Sequence, residues 1–118
     1  MFKIINQRNL KITFFILLVL IGILSLLPVN TNIDLGNKDK IGHLLAYFAL
    51  TSNALLVNNF YSKKSVMLSI IIAYGFTLEL LQGYVPGRDT SFLDGIFNST
   101  GVILGLLFVI LIRRYIKI

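Results

Sequence analysis

Between residues 12 and 29 no charge interrupts the chain, and the run ITFFILLVLIGILSLLPV is long enough to cross a hydrocarbon core of roughly 30 Å at about 1.5 Å per residue. This pattern predicts a first helix over 12–28, ending at Pro28. Residues 29–40 (VNTNIDLGNKDK) turn polar and rich in turn formers, which reads as a loop. A second apolar run predicts a helix over 41–60, interrupted only by His43 and a few small polar residues, and Tyr61, Ser62, Lys63 and Lys64 then make a tight basic turn. A third helix is expected over 65–82, with Glu79 near its last turn. Residues 83–93 (GYVPGRDTSFL) hold a Pro-Gly pair suited to a turn. Ser91-x-x-Asp94 then has the outline of a capping box, with Asp where Glu or Gln is usual, and a fourth helix follows over 92–112. The expectation is an all-α polytopic membrane protein, a bundle of four transmembrane helices forming a single domain over 1–118, without repeats or low-complexity tracts.

Composition agrees with that pattern. Of 118 residues, 56% are hydrophobic and 14% charged, with a mean hydropathy of +0.83, too apolar for a water-soluble domain of this length. The basic segment with Lys3, Arg8 and Lys11 ahead of the first apolar run resembles the start of a signal peptide, but the run exceeds the usual length and no A-x-A site follows, so a retained helix is expected. Cysteine and tryptophan are absent, which excludes disulfides, cysteine-based zinc sites and a thiol nucleophile. With His43 the only histidine, any metal site would rest mainly on carboxylates and favour hard cations such as magnesium or calcium; the sequence by itself points to no metal and no cofactor. The net charge of +6 does not imply nucleic acid, because the basic residues stand at helix ends rather than along one face or in an arm.

Lys3, Arg8, Lys11, Lys63, Lys64, Arg113, Arg114 and Lys117 flank the spans on one side, and only Lys38, Lys40 and Arg88 on the other. The excess of positive charge makes the first side cytoplasmic and puts both termini there, with membrane lipids as the surrounding partner. All 5 acidic residues, Asp34, Asp39, Glu79, Asp89 and Asp94, fall on the opposite side. Acidic residues contribute little to orientation, so their clustering points to a site on the outer face.

Three predicted helices carry polar stripes at that level. Asp39, His43 and Tyr47 repeat every four residues on the second helix, Glu79 and Gln82 share a face of the third, and Asp94 and Asn98 share a face of the fourth. Gly101 and Gly105 continue the last stripe as a small-xxx-small pattern that lets helices approach closely. Ionisable groups within a span are costly and face the bundle interior or a wet cavity, where they pair. This reading gives an outward-opening pocket in which Arg88 or Lys40 holds a phosphate or carboxylate and Glu79, Asp94 or His43 moves a proton. Plainer roles compete with it. Asp39 caps the second helix, Asp94 sits favourably in a first turn, Tyr47 is a core or interfacial aromatic, Asn98 ties helices together, and Glu79 makes a buried pair with Arg88 or His43. The glycine pair is read as packing, and Lys63, Lys64, Arg113 and Arg114 as topological, contacting lipid headgroups.

The ordered set Ser25-x-x-Pro28, Asp39-Lys40-x-x-His43 with Tyr47, Glu79-x-x-Gln82, Pro86-Gly87-Arg88 and Asp94-x-x-x-Asn98-x-x-Gly101-x-x-x-Gly105 resembles the VanZ-like family. The resemblance runs from about Ser25 to Gly105. The founding member of that family is an accessory protein of a glycopeptide-resistance cluster, associated with reduced susceptibility to teicoplanin. What the resemblance implies is a bacterial inner-membrane protein working near the envelope face. Its polar motif residues carry over as Asp39, Lys40, His43, Glu79, Gln82, Arg88, Asp94 and Asn98.

The leading expectation is a binding protein whose pocket takes an anionic or amphiphilic envelope ligand, a lipid-linked cell-wall precursor or a lipoglycopeptide, possession of which contributes to glycopeptide resistance. Arg88 and Lys40 anchor negative groups, with Asp39, Gln82, Asp94 and Asn98 as further ligand contacts. The alternatives are a membrane enzyme acting on a lipid or wall precursor, with Glu79 as general base and His43 as its acid-base partner, and a structural or assembly protein in which the polar stripes are helix glue. Carboxylates from different helices sharing a divalent ion is a variant of the enzyme reading.

Overall fold

The computed structural model describes residues 6–27, 37–86 and 92–116, the side chains of 37–39 excepted. Among these residues every regular element is helical: α1 (Gln7–Leu26), α2 (Asn37–Leu56), the single turn α3 (Asn58–Tyr61), α4 (Lys64–Gln82) and α5 (Phe92–Ile116). α1 begins at Gln7 rather than at residue 12, because Asn6 caps it: the Asn6 side-chain oxygen accepts from the backbone N–H of Arg8 at 2.9 Å and of Asn9 at 3.3 Å. α2 begins at Asn37, inside the stretch expected to be loop, so Asp39 lies in its first turn. The capping box expected at Ser91 lies outside the described residues.

The molecule is apolar outside as well as inside. Phe15, Val19 and Ile23 on α1, Val66 and Ile70 on α4, and Ile103, Leu107 and Leu111 on α5 all face outward as exposed stripes at helical spacing. Water would charge heavily for such a surface, whereas lipid tails match it. Among the described residues α1, α4 and α5 are each long and apolar enough to cross a membrane. α2 has 20 residues but is not among those three, because Lys40, His43, Thr51, Ser52 and Asn53 interrupt its apolar residues. The bundle explains that composition: α2 packs against each of the other four helices, and Leu50, Thr51, Ala54 and Leu55 are fully buried. A helix screened by its neighbours carries polar groups without presenting them to hydrocarbon.

The closest approach is between α2 and α5. A Cβ at Gly101 would collide with the backbone carbonyl of Leu44, and one at Gly105 would lie 2.9 Å from the Thr51 Cβ and 3.0 Å from the Phe48 carbonyl oxygen. Glycine at both positions therefore lets the two backbones touch. Elsewhere, the Tyr74 hydroxyl of α4 donates to the Leu18 carbonyl of α1, and Asn53 Nδ2 of α2 donates to the Leu10 carbonyl at 2.9 Å.

The helix expected to run unbroken over 41–60 is divided at Val57, which is extended (φ −75°, ψ 119°). Side chains from two distant helices occupy the place of the next turn. Arg113 of α5 donates to the Leu55 carbonyl from Nε at 3.2 Å and from Nη2 at 2.8 Å, and Nη2 also reaches Asn58 Oδ1 at 3.1 Å. Gln7 of α1 donates to the Leu56 carbonyl at 3.2 Å while its oxygen accepts from the Asn58 N–H at 2.8 Å. These bonds satisfy the carbonyls that a helix end leaves open. Arg113, expected to contact lipid headgroups, is instead buried, with its guanidinium 4.0 Å from the centre of the Tyr61 ring. Arg114 beside it is exposed.

Candidate functional site

At the opposite end of the bundle from Arg113, the start of α2, the end of α4 and the start of α5 meet. Lys40 and His43 come from the first two turns of α2, Glu79 from the last turn of α4, and Asp94 and Asn98 from the first two turns of α5. His43 stands about 9 Å along the axis from the first residue of α2, and Asn98 about the same distance into α5. The close α2–α5 contact at Gly101 and Gly105 holds these two helices at a separation their polar side chains can bridge.

His43 is the hub. Its Nδ1 lies 2.9 Å from Asn98 Oδ1 and 3.8 Å from Glu79 Oε1, and its Nε2 lies 3.8 Å from Asp94 Oδ2. An amide oxygen only accepts, so Nδ1 carries a proton and donates to Asn98. Lys40 Nζ stands 3.9 Å from Asp94 Oδ1, on the more exposed flank of the group. Glu79 is only 3% exposed and Asp94 6%, so both carboxylates are nearly removed from solvent and hydrocarbon alike. One ligating atom each from His43, Glu79 and Asp94 can be chosen so that all lie within 4.8 Å of one another, which makes this trio the group among the described residues able to hold a metal.

The charges are not placed for the good of their own helices. A helix start favours negative charge and a helix end positive charge. Lys40 nevertheless stands in the first turn of α2 and Glu79 in the last turn of α4. Asp94, in the first turn of α5, follows the local preference. Lys40 instead faces Asp94, and Glu79 faces His43, across helices, so the arrangement belongs to the assembled bundle.

The remaining residues singled out from sequence divide. Gln82 is buried and its amide nitrogen donates to the Ser25 carbonyl at 3.0 Å, fastening the end of α4 to the end of α1. Tyr47 is buried against α4: a Cβ at Gly75 would lie 3.2 Å from its ring and 3.3 Å from Asn98 Nδ2, so that glycine makes room for both. Arg88 and the side chain of Asp39 lie outside the described residues. The cluster around Gln7, Asn53, Asn58 and Arg113 was not anticipated. Its signal in the sequence is faint: Asn53 and Asn58 inside one apolar run, Gln7 ahead of another and Arg113 at the end of a third look like ordinary boundary residues until the partner helices are in place.

No protein-family model, curated protein or solved structure matches this chain.

Proposed function

We propose that the chain crosses a bacterial inner membrane four times as a VanZ-like protein, with both termini cytoplasmic, and that the His43 cluster lines an outward-facing pocket for the anionic headgroup of an envelope ligand. A lipid-linked cell-wall precursor or a lipoglycopeptide has the required chemistry, a charged head joined to an apolar tail. The observation that carries this reading is the convergence of His43, Glu79, Asp94 and Asn98 from three helices at one level, with Lys40 at the exposed flank. Side chains that only glue helices together need no more than two partners and no net ionic character, whereas this group buries two carboxylates, one of them, Glu79, against its helix's preference. Lys40, and Arg88 from the segment joining α4 to α5, would take the negative charge, and Asn98 would orient hydrogen-bonding groups. Sequestering or presenting such a ligand is how the chain would contribute to glycopeptide resistance.

A short-chain prenyl pyrophosphate is a soluble probe of this pocket. Lys40→Ala and Arg88→Ala should each weaken its binding to the purified full chain roughly tenfold, the loss of one charge-assisted contact. Wild-type affinity in both variants, with the protein folded, would end the reading.

The position of His43 between two carboxylates favours acid-base chemistry as the second reading. Glu79→Gln keeps shape while removing the base. If the chain is an enzyme, cells carrying this variant should accumulate the same envelope precursors as cells lacking the chain, by mass spectrometry of their lipids; for a binder the precursor pool is chemically the same in all three.

A further inference from the structure

The carboxylate-histidine trio has more capacity than the binding reading uses. We propose that His43, Glu79 and Asp94 bind one divalent cation of the zinc and manganese class, and that this ion, together with Lys40, is what receives the anionic headgroup. The inference rests on the pocket proposed above only for that last clause.

Three features carry it. The ligating atoms come from three different helices and already lie within 4.8 Å of one another. Ligands about 2.1 Å from a common ion stand roughly 3.4 to 4.2 Å apart, so the widest pair must close by about 1 Å, which side-chain rotation supplies. The second feature is the histidine tautomer. With Nδ1–H given to Asn98 Oδ1 at 2.9 Å, Nε2 is the ring nitrogen left for an ion, and it lies 3.8 Å from Asp94 Oδ2. Metal-binding histidines are held in this manner, one nitrogen on the ion and the other donating to a carbonyl, and Asn98 supplies that carbonyl. The third is charge. Two buried carboxylates meeting at one place suit a doubly positive ion, and Lys40, 3.9 Å from Asp94, adds a positive group that suits an anion.

One imidazole with two carboxylates is softer than an all-oxygen set, which displaces the expectation from magnesium or calcium towards zinc or manganese. Three protein ligands also leave a coordination position for the incoming oxygen, the arrangement of open zinc sites. The competing occupant is a second proton on His43, which would make the trio an ion-pair network with no metal.

The test uses the full chain purified in detergent or nanodiscs, with zinc, manganese and cobalt(II) as probes. The expected result is one tightly held zinc or manganese ion per chain by elemental analysis, and visible absorption bands from cobalt(II) in an N/O site of low coordination number. Glu79→Gln and Asp94→Asn should each weaken zinc binding more than about a hundredfold, and Asn98→Ala roughly ten- to a hundredfold. Because the carboxamide variants risk misfolding, the wild-type result decides alone: sub-stoichiometric metal and no cobalt(II) bands overturn the proposal. Binding of the prenyl pyrophosphate probe with and without chelator separates the two readings. Binding that survives chelation overturns the metal's part and keeps the pocket; a bound metal with no probe binding keeps the ion and overturns the pocket.

Discussion

Single residues at the two ends of this bundle show that position in the sequence does not reveal a residue's work. Arg113 and Arg114 are neighbours of the same charge at the end of one apolar run, yet Arg113 is buried and Arg114 exposed. Arg113 donates three hydrogen bonds, two of them to the Leu55 carbonyl, and stacks on Tyr61. Hydrogen bonds from charged donors contribute about 1.5–3 kcal/mol each at most, and their loss here would also strand the end of α2. We expect Arg113→Ala to destabilise the folded chain by about 2–3 kcal/mol in a detergent unfolding titration, and Arg114→Ala by less than about 0.5 kcal/mol. Arg113→Lys should recover only part of the loss, since an ammonium cannot reproduce the forked contact. Equal effects from the two alanine variants would refute the assigned role.

At the scale of helices, the α2–α5 contact decides whether the His43 cluster exists. Gly101 leaves no room for a side chain because the Leu44 backbone occupies the space, whereas a Cβ at Gly42 would meet nothing within 4 Å. Gly101→Ala should therefore push the helices apart and cost about 1–3 kcal/mol, while Gly42→Ala should be neutral or stabilise α2 by up to about 1 kcal/mol. Thermal unfolding followed by circular dichroism checks both. Gly101→Ala should also lengthen the His43–Asn98 separation and weaken any ligand bound there, a coupling that Gly42→Ala lacks. The small-xxx-small spacing of Gly101 and Gly105 was legible as close packing, but which helix fills the groove was not, since the spacing is a property of α5 alone and the partner is chosen by the bundle.

For the whole molecule the open quantity is orientation. The distribution of Lys and Arg predicts that the Arg113 end faces the cytoplasm and the His43 end the exterior. The absence of cysteine makes this directly measurable, since a single introduced thiol is the only one in the chain. Tyr84 and Ser62 are exposed at opposite ends of α4. In intact cells a membrane-impermeant maleimide should label Tyr84→Cys, and label Ser62→Cys only after permeabilisation. The reversed pattern would place the carboxylates on the cytoplasmic side and remove envelope ligands from consideration.

The apolar runs by themselves determined that this chain is helical, where most helices lie and which polar residues share a helical face, because 3.6-residue periodicity and unbroken hydrophobic length are local properties. They also marked Glu79, His43 and Asp94 as costly within an apolar segment. Tertiary structure alone decided the rest: the break at Val57, which is imposed by Arg113 and Gln7 from other helices; the burial of Arg113; the service of Gln82 to the end of α1; and the meeting of His43 with Glu79, Asp94 and Asn98. These are contacts across roughly 35 to 60 residues of chain, and a hydrogen bond or ion pair has no echo in the local pattern until packing brings its second partner within reach.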